Sequence, residues 1–184
     1  LTGVLALTLL GLNVPRLDLS WLDGWMASAP WFGCGIALLA VTGLPHAFNI
    51  IDGYNGLAGA VALAVCLALV HVALQVGDRS LAVLVAATAG ATVGFLVWNY
   101  PRGLLFAGDG GAYVWGVVIA IASISLVQRN PAVSPWFPVL LLIYPVWETV
   151  FSIYRKLVRG VSPGVADALH FHQLIYRRIV RGVF

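Results

Sequence analysis

The chain has 184 residues, of which 61% are apolar and 9% are charged. An average soluble domain is about 45–50% apolar and about 25% charged, so this composition excludes a water-soluble enzyme, a disordered tail and a free nucleic-acid-binding domain. Ten basic residues against seven acidic ones give a formal net charge of +3. The composition therefore predicts a helical protein that crosses the membrane several times, in which the placement of the basic residues relative to the bilayer carries the information.

Six apolar stretches follow one another along the chain. The first, 1–12, is shorter than the roughly 20 residues that cross a bilayer, so it is predicted to be the end of a partial span and the chain is expected to be part of a longer membrane protein. The other five are predicted as spans, and they cover residues 31–51, 56–76, 80–100, 112–127 and 136–154. We therefore predict an all-α fold, a polytopic transmembrane helical bundle with about six spans.

The predicted bundle occupies residues 1–154 and is followed by a basic segment over 155–184. Within the fourth span, Gly90-x-x-x-Gly94 predicts the close approach of a neighbouring helix.

Basic residues favour one side of this predicted bundle. Counting the crossings places the connections 44–55, 101–111 and 155–184 on the same side, and seven of the ten basic residues lie in the last two of them. The opposite side holds one basic residue in each of its connections. The positive-inside rule makes the more basic side cytoplasmic.

The connection 44–55 carries the first polar cluster. In a helix over 46–52, His46, Asn49 and Asp52 recur every three residues and share one stripe. Asp52-Gly53 and Asn55-Gly56 are turn dipeptides that end the helix. Such an arrangement suits a polar ligand with hydroxyl groups or a ring amide, or the outer shell of a metal ion. A capped turn between two helices is the alternative.

The connection 101–111 carries a carboxylate among glycines, in Gly108-Asp109-Gly110-Gly111. Glycine lets backbone N–H groups approach phosphate oxygens, and Mg2+ takes one or two carboxylates together with substrate phosphates. This segment predicts room for a hydrated Mg2+ and a diphosphate, with a flexible connector as the alternative.

The basic segment carries His170 and His172, which point the same way only from an extended or loop backbone. With Arg177 and Arg178 they form a cationic patch suited to phosphate. A zinc site is a poor alternative because no cysteine is near, whereas anchoring to anionic lipid is compatible with catalysis. Glu148, inside the last span, is a further functional candidate without an assigned role.

In this order the three segments resemble the polyprenyl-phosphate N-acetylhexosamine-1-phosphate transferase family, glycosyltransferase family 4. The first is similar to its Asn-Ala-x-Asn-x-x-Asp-Gly signature, the second to its Gly-Asp-x-Gly loop after Asn-x-Pro, and the third to its His-x-His-His motif. The chain departs from these motifs at His46, where the family usually has Asn, at Asn55, where it often has Asp, and at Gln173, in place of the last His. The family's adjacent Asp-Asp pair is absent from these 184 residues, so the chain by itself is expected to be inactive.

The resemblance implies a specific reaction. A sugar-1-phosphate would pass from a UDP-N-acetylhexosamine to undecaprenyl phosphate with release of UMP, at the cytoplasmic face of the bacterial inner membrane. The product would begin a lipid-linked cell-envelope glycan such as the O-antigen of lipopolysaccharide. Mg2+, with Mn2+ as a substitute, is the implied cofactor.

The resemblance also implies roles for individual residues. The implied catalytic residues are Asp52, Asp109 and His170, and the implied metal ligands are Asp109 and Asn49. The implied substrate-binding residues are Asn49, Asn55, Gly108, His172, Arg177 and Arg178. The implied partners are the two substrates and membrane lipid, with no nucleic acid, and a homodimer is left open. A transporter with a cytoplasmic gate and a non-catalytic paralogue are the competing interpretations.

Overall fold

The computed structural model describes residues 2–162 and 170–176, with side chains for all of these except residues 2, 3, 5, 6 and 172. Over these ranges the chain forms nine helices and no strand. In chain order the helices are α1 (Thr2–Leu10), α2 (Ser20–Ser28), α3 (Pro30–Ile51), α4 (Leu57–Gln75), α5 (Arg79–Asn99), α6 (Gly108–Arg129), α7 (Trp136–Leu141), α8 (Ile143–Val158) and α9 (Phe171–Ile175).

Four of these helices, α3 to α6, are long and apolar enough to cross a membrane. They confirm the all-α, polytopic prediction, and the chain is a multi-pass membrane protein. Helix α6 is the most buried of the four and contacts α3, α4 and α5. The two most extensive helix pairs are α3 with α6 and α4 with α5, so α6 is the central helix on which the site-bearing segments are placed.

The first and last predicted spans differ from the prediction. Helix α1 has only nine residues, and the stretch 136–154 is broken at Leu142 into α7 and α8, the second of which continues to Val158. Pro145 explains the break, because it lacks the N–H that would bond to the carbonyl of Leu141 in a continuous helix. The nine-residue helix α2 was not predicted.

Close helix contacts occur at glycines other than the predicted pair. Gly116 of α6 lies directly on the backbone of Pro45 in α3, and a Cβ added there would overlap that backbone. Gly59 of α4 lies in the same way under the side chain of Leu96. By contrast, a Cβ on Gly90 or Gly94 would meet no described atom within 4 Å. The predicted packing at Gly90-x-x-x-Gly94 is therefore wrong within the part of the chain that the structure describes.

One end of the bundle is held by polar contacts that involve no predicted site residue. The guanidinium of Arg16 donates to the carbonyls of Pro131 and Val133 at 2.7 and 2.8 Å and pairs with Asp18 at 2.8 Å. The side chain of Gln128 bonds to the backbone of the segment that follows α1. The connections 52–56 and 100–107 therefore lie at the opposite end, and the site is built there.

Candidate functional site

The last turns of α3 and the first turns of α6 face each other at the site. The side-chain amide of Asn49 donates to the carboxylate of Asp109 at 2.8 Å. One turn deeper, the ring of His46 meets the ring of Tyr113 edge to face, with 5.5 Å between centroids. Because α3 is helical through Ile51, His46 and Asn49 share the predicted stripe, and both point at α6.

Asp109 lies on an exposed first turn of a long helix. Gly108 begins α6 with a φ of +59°, a left-handed conformation that favours glycine. The N–H groups of the first turn of any helix have no carbonyl partner within that helix. The exposed carboxylate of Asp109 therefore stands beside backbone donors, an arrangement that can hold a cation and an anion side by side.

Asp52 is the C-cap of α3, and its backbone N–H bonds to the carbonyl of Asn49 at 3.3 Å. Its side chain is half-buried, and this burial raises the pKa of the carboxyl above its ordinary 3.8. Desolvation disfavours the charged form of a carboxyl group. The structure therefore gives Asp52 a less polar environment than its position in a connection suggests.

Asn99, the last residue of α5, joins the two connections at this end. Its side-chain carbonyl accepts the N–H of Gly56, and its side-chain amide donates to the carbonyl of Leu105 at 2.8 Å. The side chain of Asn55 adds a bond to the carbonyl of Pro101 at 3.3 Å. Asn99 is only 5% exposed, so its buried side chain links the connections 52–56 and 100–107 by hydrogen bonds.

Sequence reasoning did not single out Asn99. The feature that could have pointed to Asn99 is its amide at the end of an apolar span, directly before Tyr100-Pro101. A polar side chain at the membrane edge needs a polar partner. The sequence also assigned no partner to Glu148, whose carboxylate contacts His170 in the structure.

The third polar segment reaches the bundle through Glu148 of α8. The Nδ1 atom of His170 lies 3.0 Å from the Glu148 carboxylate. Directly after α9, the ring of Tyr176 lies against the ring of Tyr54, with 5.7 Å between centroids and an angle of 46° between the ring planes. This second contact brings the end of α9 to the connection 52–56, so residues 170–176 of the third segment lie at the site end.

The remaining predicted residues of this segment are less fully placed. His172 lies in helix α9. The expectation of an extended or loop backbone for the two histidines is therefore wrong for His172. On a helix, residues at i and i+2 do not face each other. The side chain of His172 is outside the described set. Arg177 and Arg178 also lie outside the described residues.

The geometry therefore brings some predicted residues into contact and leaves others apart. Asn49 and Asp109 form a hydrogen bond. Asn55 lies in one of the two connections that the Asn99 side chain links, and Gly108 directly follows the other. Within residues 2–162 and 170–176, no group of three or more His, Cys, Asp or Glu side chains gathers in a way that could hold a metal ion. The described residues by themselves would therefore supply a divalent cation at Asp109 with only part of the oxygen ligands that such a cation takes.

Comparison with known proteins identifies the family. The family model described as "Glycosyl transferase family 4" matches residues 1–127. The chain belongs to glycosyl transferase family 4. This confirms the family to which the three polar segments pointed.

Three relatives illustrate the similarity of this glycosyl transferase family 4 chain. An undecaprenyl-phosphate alpha-N-acetylglucosaminyl 1-phosphate transferase of Thermotoga maritima is 31% identical over 137 residues, which cover 74% of this chain and 41% of that protein. Its namesake in Yersinia pestis is 28% identical over 182 residues, 96% of this chain and 50% of that protein. A phospho-N-acetylmuramoyl-pentapeptide-transferase of Moorella thermoacetica is 34% identical over 112 residues, 61% of this chain and 35% of that protein. The chain thus spans half or less of the length of these relatives.

Proposed function

We propose that the protein containing this chain transfers an N-acetylhexosamine-1-phosphate from a UDP-sugar to undecaprenyl phosphate at the cytoplasmic membrane face and releases UMP. The names of the relatives support the acceptor and the transferred group. The UDP donor rests on the motifs. The cytoplasmic side rests on basic residues such as Arg102, which follows α5, and Arg155, in the last turn of α8.

One observation carries this proposal. The hydrogen bond between Asn49 and Asp109 joins two of the three family motifs, which lie 60 residues apart in the chain, at one end of a membrane bundle. A reaction between a water-soluble donor and a lipid acceptor has to occur at such an end. A transporter would instead be expected to place its polar groups near the middle of the membrane, on interrupted helices.

Different residues of the site are proposed to bind the donor and to act on its phosphates. Asp109 stands beside the first-turn N–H groups of α6, which favour the phosphate oxygens of the donor. Asn49 and Asp52 face the nucleotide-sugar, with Asn55 and Gly108 shaping the surface around it. His170 acts on phosphate oxygens, and His172, Arg177 and Arg178 are proposed to add positive charge nearby.

Mg2+ is the proposed cofactor, with Mn2+ as a substitute, held by Asp109 and the side-chain oxygen of Asn49. The exposed carboxylate and the neighbouring amide are oxygen donors of the kind that hard cations prefer. When bound, the cation would neutralise negative charge on the diphosphate of the donor.

The test uses the full-length protein, purified in detergent, with labelled UDP-N-acetylglucosamine and undecaprenyl phosphate. We expect Mg2+-dependent formation of a labelled lipid and release of UMP. Replacing Asp109→Asn should lower the rate by at least about 100-fold, because a charge that stabilises the transition state by several kcal/mol is lost. The matched control is Asp18→Asn at the opposite end of the bundle, which should keep the wild-type rate.

Other outcomes would overturn the proposal. Movement of an intact UDP-sugar across vesicles without lipid labelling would identify a transporter. Binding of the UDP-sugar without UMP release would identify a non-catalytic paralogue. Equal rates for the Asp109→Asn and Asp18→Asn variants would remove Asp109 from the reaction.

A further inference from the structure

Glu148 is the one buried acidic side chain in the part of the chain that the structure describes. It lies in the second turn of α8 and is 2% exposed. A carboxylate removed from water is costly unless charged or hydrogen-bonding groups compensate it. Its partners therefore indicate what the residue does.

Two hydrogen-bonding partners of Glu148 belong to the start of the third polar segment. Its Oε1 atom lies 3.0 Å from the His170 Nδ1 atom and accepts the backbone N–H of Phe171, also at 3.0 Å. The backbone N–H of His170 donates to the side-chain oxygen of Gln173 at 3.3 Å. The ring and the backbone of His170 are thus each held by a separate side chain.

The Gln173 contact gives a structural role to a residue at which the chain departs from the family motif. A Gln side chain three positions after the residue that precedes a helix can accept the N–H of that residue, as in a capping box. Gln173 holds the backbone of His170 in this way. Although Gln173 stands in place of the last histidine of the family motif, it supports the first histidine, His170.

The Glu148 contact determines which ring nitrogen of His170 carries a proton. The Oε1 atom already accepts the N–H of Phe171, and a carboxylate oxygen that acts as an acceptor toward His170 as well needs the proton on Nδ1. In the neutral ring with its proton on Nδ1, Nε2 is the acceptor nitrogen. A hydrogen bond to one ring nitrogen sets the state of the other in this way in catalytic and metal-binding histidines.

We propose that Glu148 is a positioning residue for the transfer reaction, which orients the ring of His170 and fixes its Nδ1–H tautomer. This proposal rests on the proposed function, in which His170 acts on phosphate oxygens. Glu148 itself touches no substrate. It acts from inside the bundle, through the histidine.

The first experiment reads the tautomer directly and needs no activity. Full-length protein is labelled with 15N-histidine, and the signal of His170 is assigned by its loss in a His170→Asn variant. We expect the Nδ1–H tautomer in the wild type and in Glu148→Gln, which keeps an acceptor oxygen, and a shift toward the Nε2–H form in Glu148→Ala. An unchanged tautomer in a folded Glu148→Ala protein would overturn the proposal.

The second experiment is a double-mutant cycle on kcat. Removing a partner that orients a functional side chain commonly costs about 10- to 100-fold, so Glu148→Ala should lower kcat by that factor and leave KM for the UDP-sugar nearly unchanged. In a His170→Ala background, Glu148→Ala should cause no further loss, and Glu148→Gln should restore part of the rate. Independent, multiplicative losses would mean that Glu148 acts only on stability.

A neighbouring control separates positioning from damage to α8. Among the residues that the structure describes, the Thr149 hydroxyl bonds to the carbonyl of Pro145, one turn earlier in the same helix, at 2.9 Å. The nearly isosteric Thr149→Val should therefore keep both the kcat and the tautomer of His170. If the wild-type protein transfers no sugar-phosphate, the proposed function fails, while the NMR result still decides the role of Glu148.

Discussion

A single hydrogen bond, from Asn49 to Asp109, joins residues that the motifs had placed in the same site from opposite halves of the chain. A second polar contact, between Glu148 and His170, does the same for the third motif. In each case one partner lies in an apolar helix, where a polar side chain persists only if another polar group meets it. Asn49 and Glu148 therefore occur where another segment of the chain supplies a polar partner.

Asp52 provides a prediction about stability and pH. Because burial raises the pKa of its carboxyl above 3.8, the stability that this group contributes is fully present below about pH 3.8 and is lost as the pH rises through the raised pKa. Asp52→Asn mimics the neutral carboxyl. At pH 7 the variant should unfold at a higher temperature than the wild type, although transfer activity falls.

Thermal unfolding of the purified full-length protein at several pH values is the measurement. The gap between variant and wild type should close as the pH is lowered toward 3.8. A variant that is less stable at pH 7, or a gap that does not change with pH, would contradict the assigned environment of Asp52.

The motifs name Asn49, Asp109 and His170 as candidate site residues, and the structure brings Asn49 into contact with Asp109. The contacts of Asn99 and Glu148 were not predicted, although Glu148 was a functional candidate. Asn99 and Glu148 lie next to the site only because α5 and α8 end or pack there, and pairing between helices is not encoded in local spacing. Polar residues inside apolar spans were the available signal.

At the scale of the element, the start of α6 depends on one glycine. Gly108 has a φ of +59°, and an L residue in a left-handed conformation costs about 1–2 kcal/mol. Gly108→Ala should therefore lower the unfolding temperature and displace Asp109, with a loss of transfer rate.

Gly110 is the matched control for this change. It lies two residues further along α6, has no positive φ, and an added Cβ meets no described atom within 4 Å. Gly110→Ala should be neutral or stabilise the helix by up to about 1 kcal/mol. Thermal unfolding and the transfer assay check both variants, and equal behaviour of the two would refute the role given to the Gly108 backbone.

The contact between α3 and α6 gives a second prediction for an element. Because a Cβ on Gly116 overlaps the backbone of Pro45, Gly116→Ala should force the two helices apart at a cost of about 1–3 kcal/mol. The Asn49–Asp109 contact lies between the same helices, so the transfer rate should also fall. Gly94→Ala, on an open surface of α5, should keep the rate and leave the unfolding temperature unchanged or slightly raised. A similar loss in both variants would count against this close contact.

Helices were predicted well where the apolar stretch was continuous and ended at strong turn residues. The bounds of α3, α4 and α5 differ from the predicted spans by one residue at each end where they differ at all. The stretch 136–154 was predicted less well, since its composition is that of a span while Pro145 interrupts its hydrogen bonds. Composition records whether a segment is apolar, and only the backbone bonds determine whether it is one helix or two.

At the scale of the whole molecule, the bundle has two unlike ends. One is closed by the contacts of Arg16 with the carbonyls of Pro131 and Val133, and the other carries the polar site. The charge pattern predicts that the site end is cytoplasmic.

Cysteine labelling tests this orientation. In a full-length protein without its native cysteines, Arg102→Cys and Ala132→Cys place a thiol on an exposed position at each end. A maleimide that does not cross membranes should label position 132 in intact cells and position 102 only after permeabilisation. The reverse pattern would invert the topology and with it the proposed side of the reaction.

The buried amide of Asn99 has a consequence for ligand affinity. Its bonds to Gly56 and Leu105 order the two connections in the absence of any substrate. The conformational entropy of these connections is therefore lost when the chain folds and not when a ligand binds. Binding to such a pre-ordered surface keeps more of the interaction free energy, so the proposed nucleotide-sugar would need few contacts to be selected.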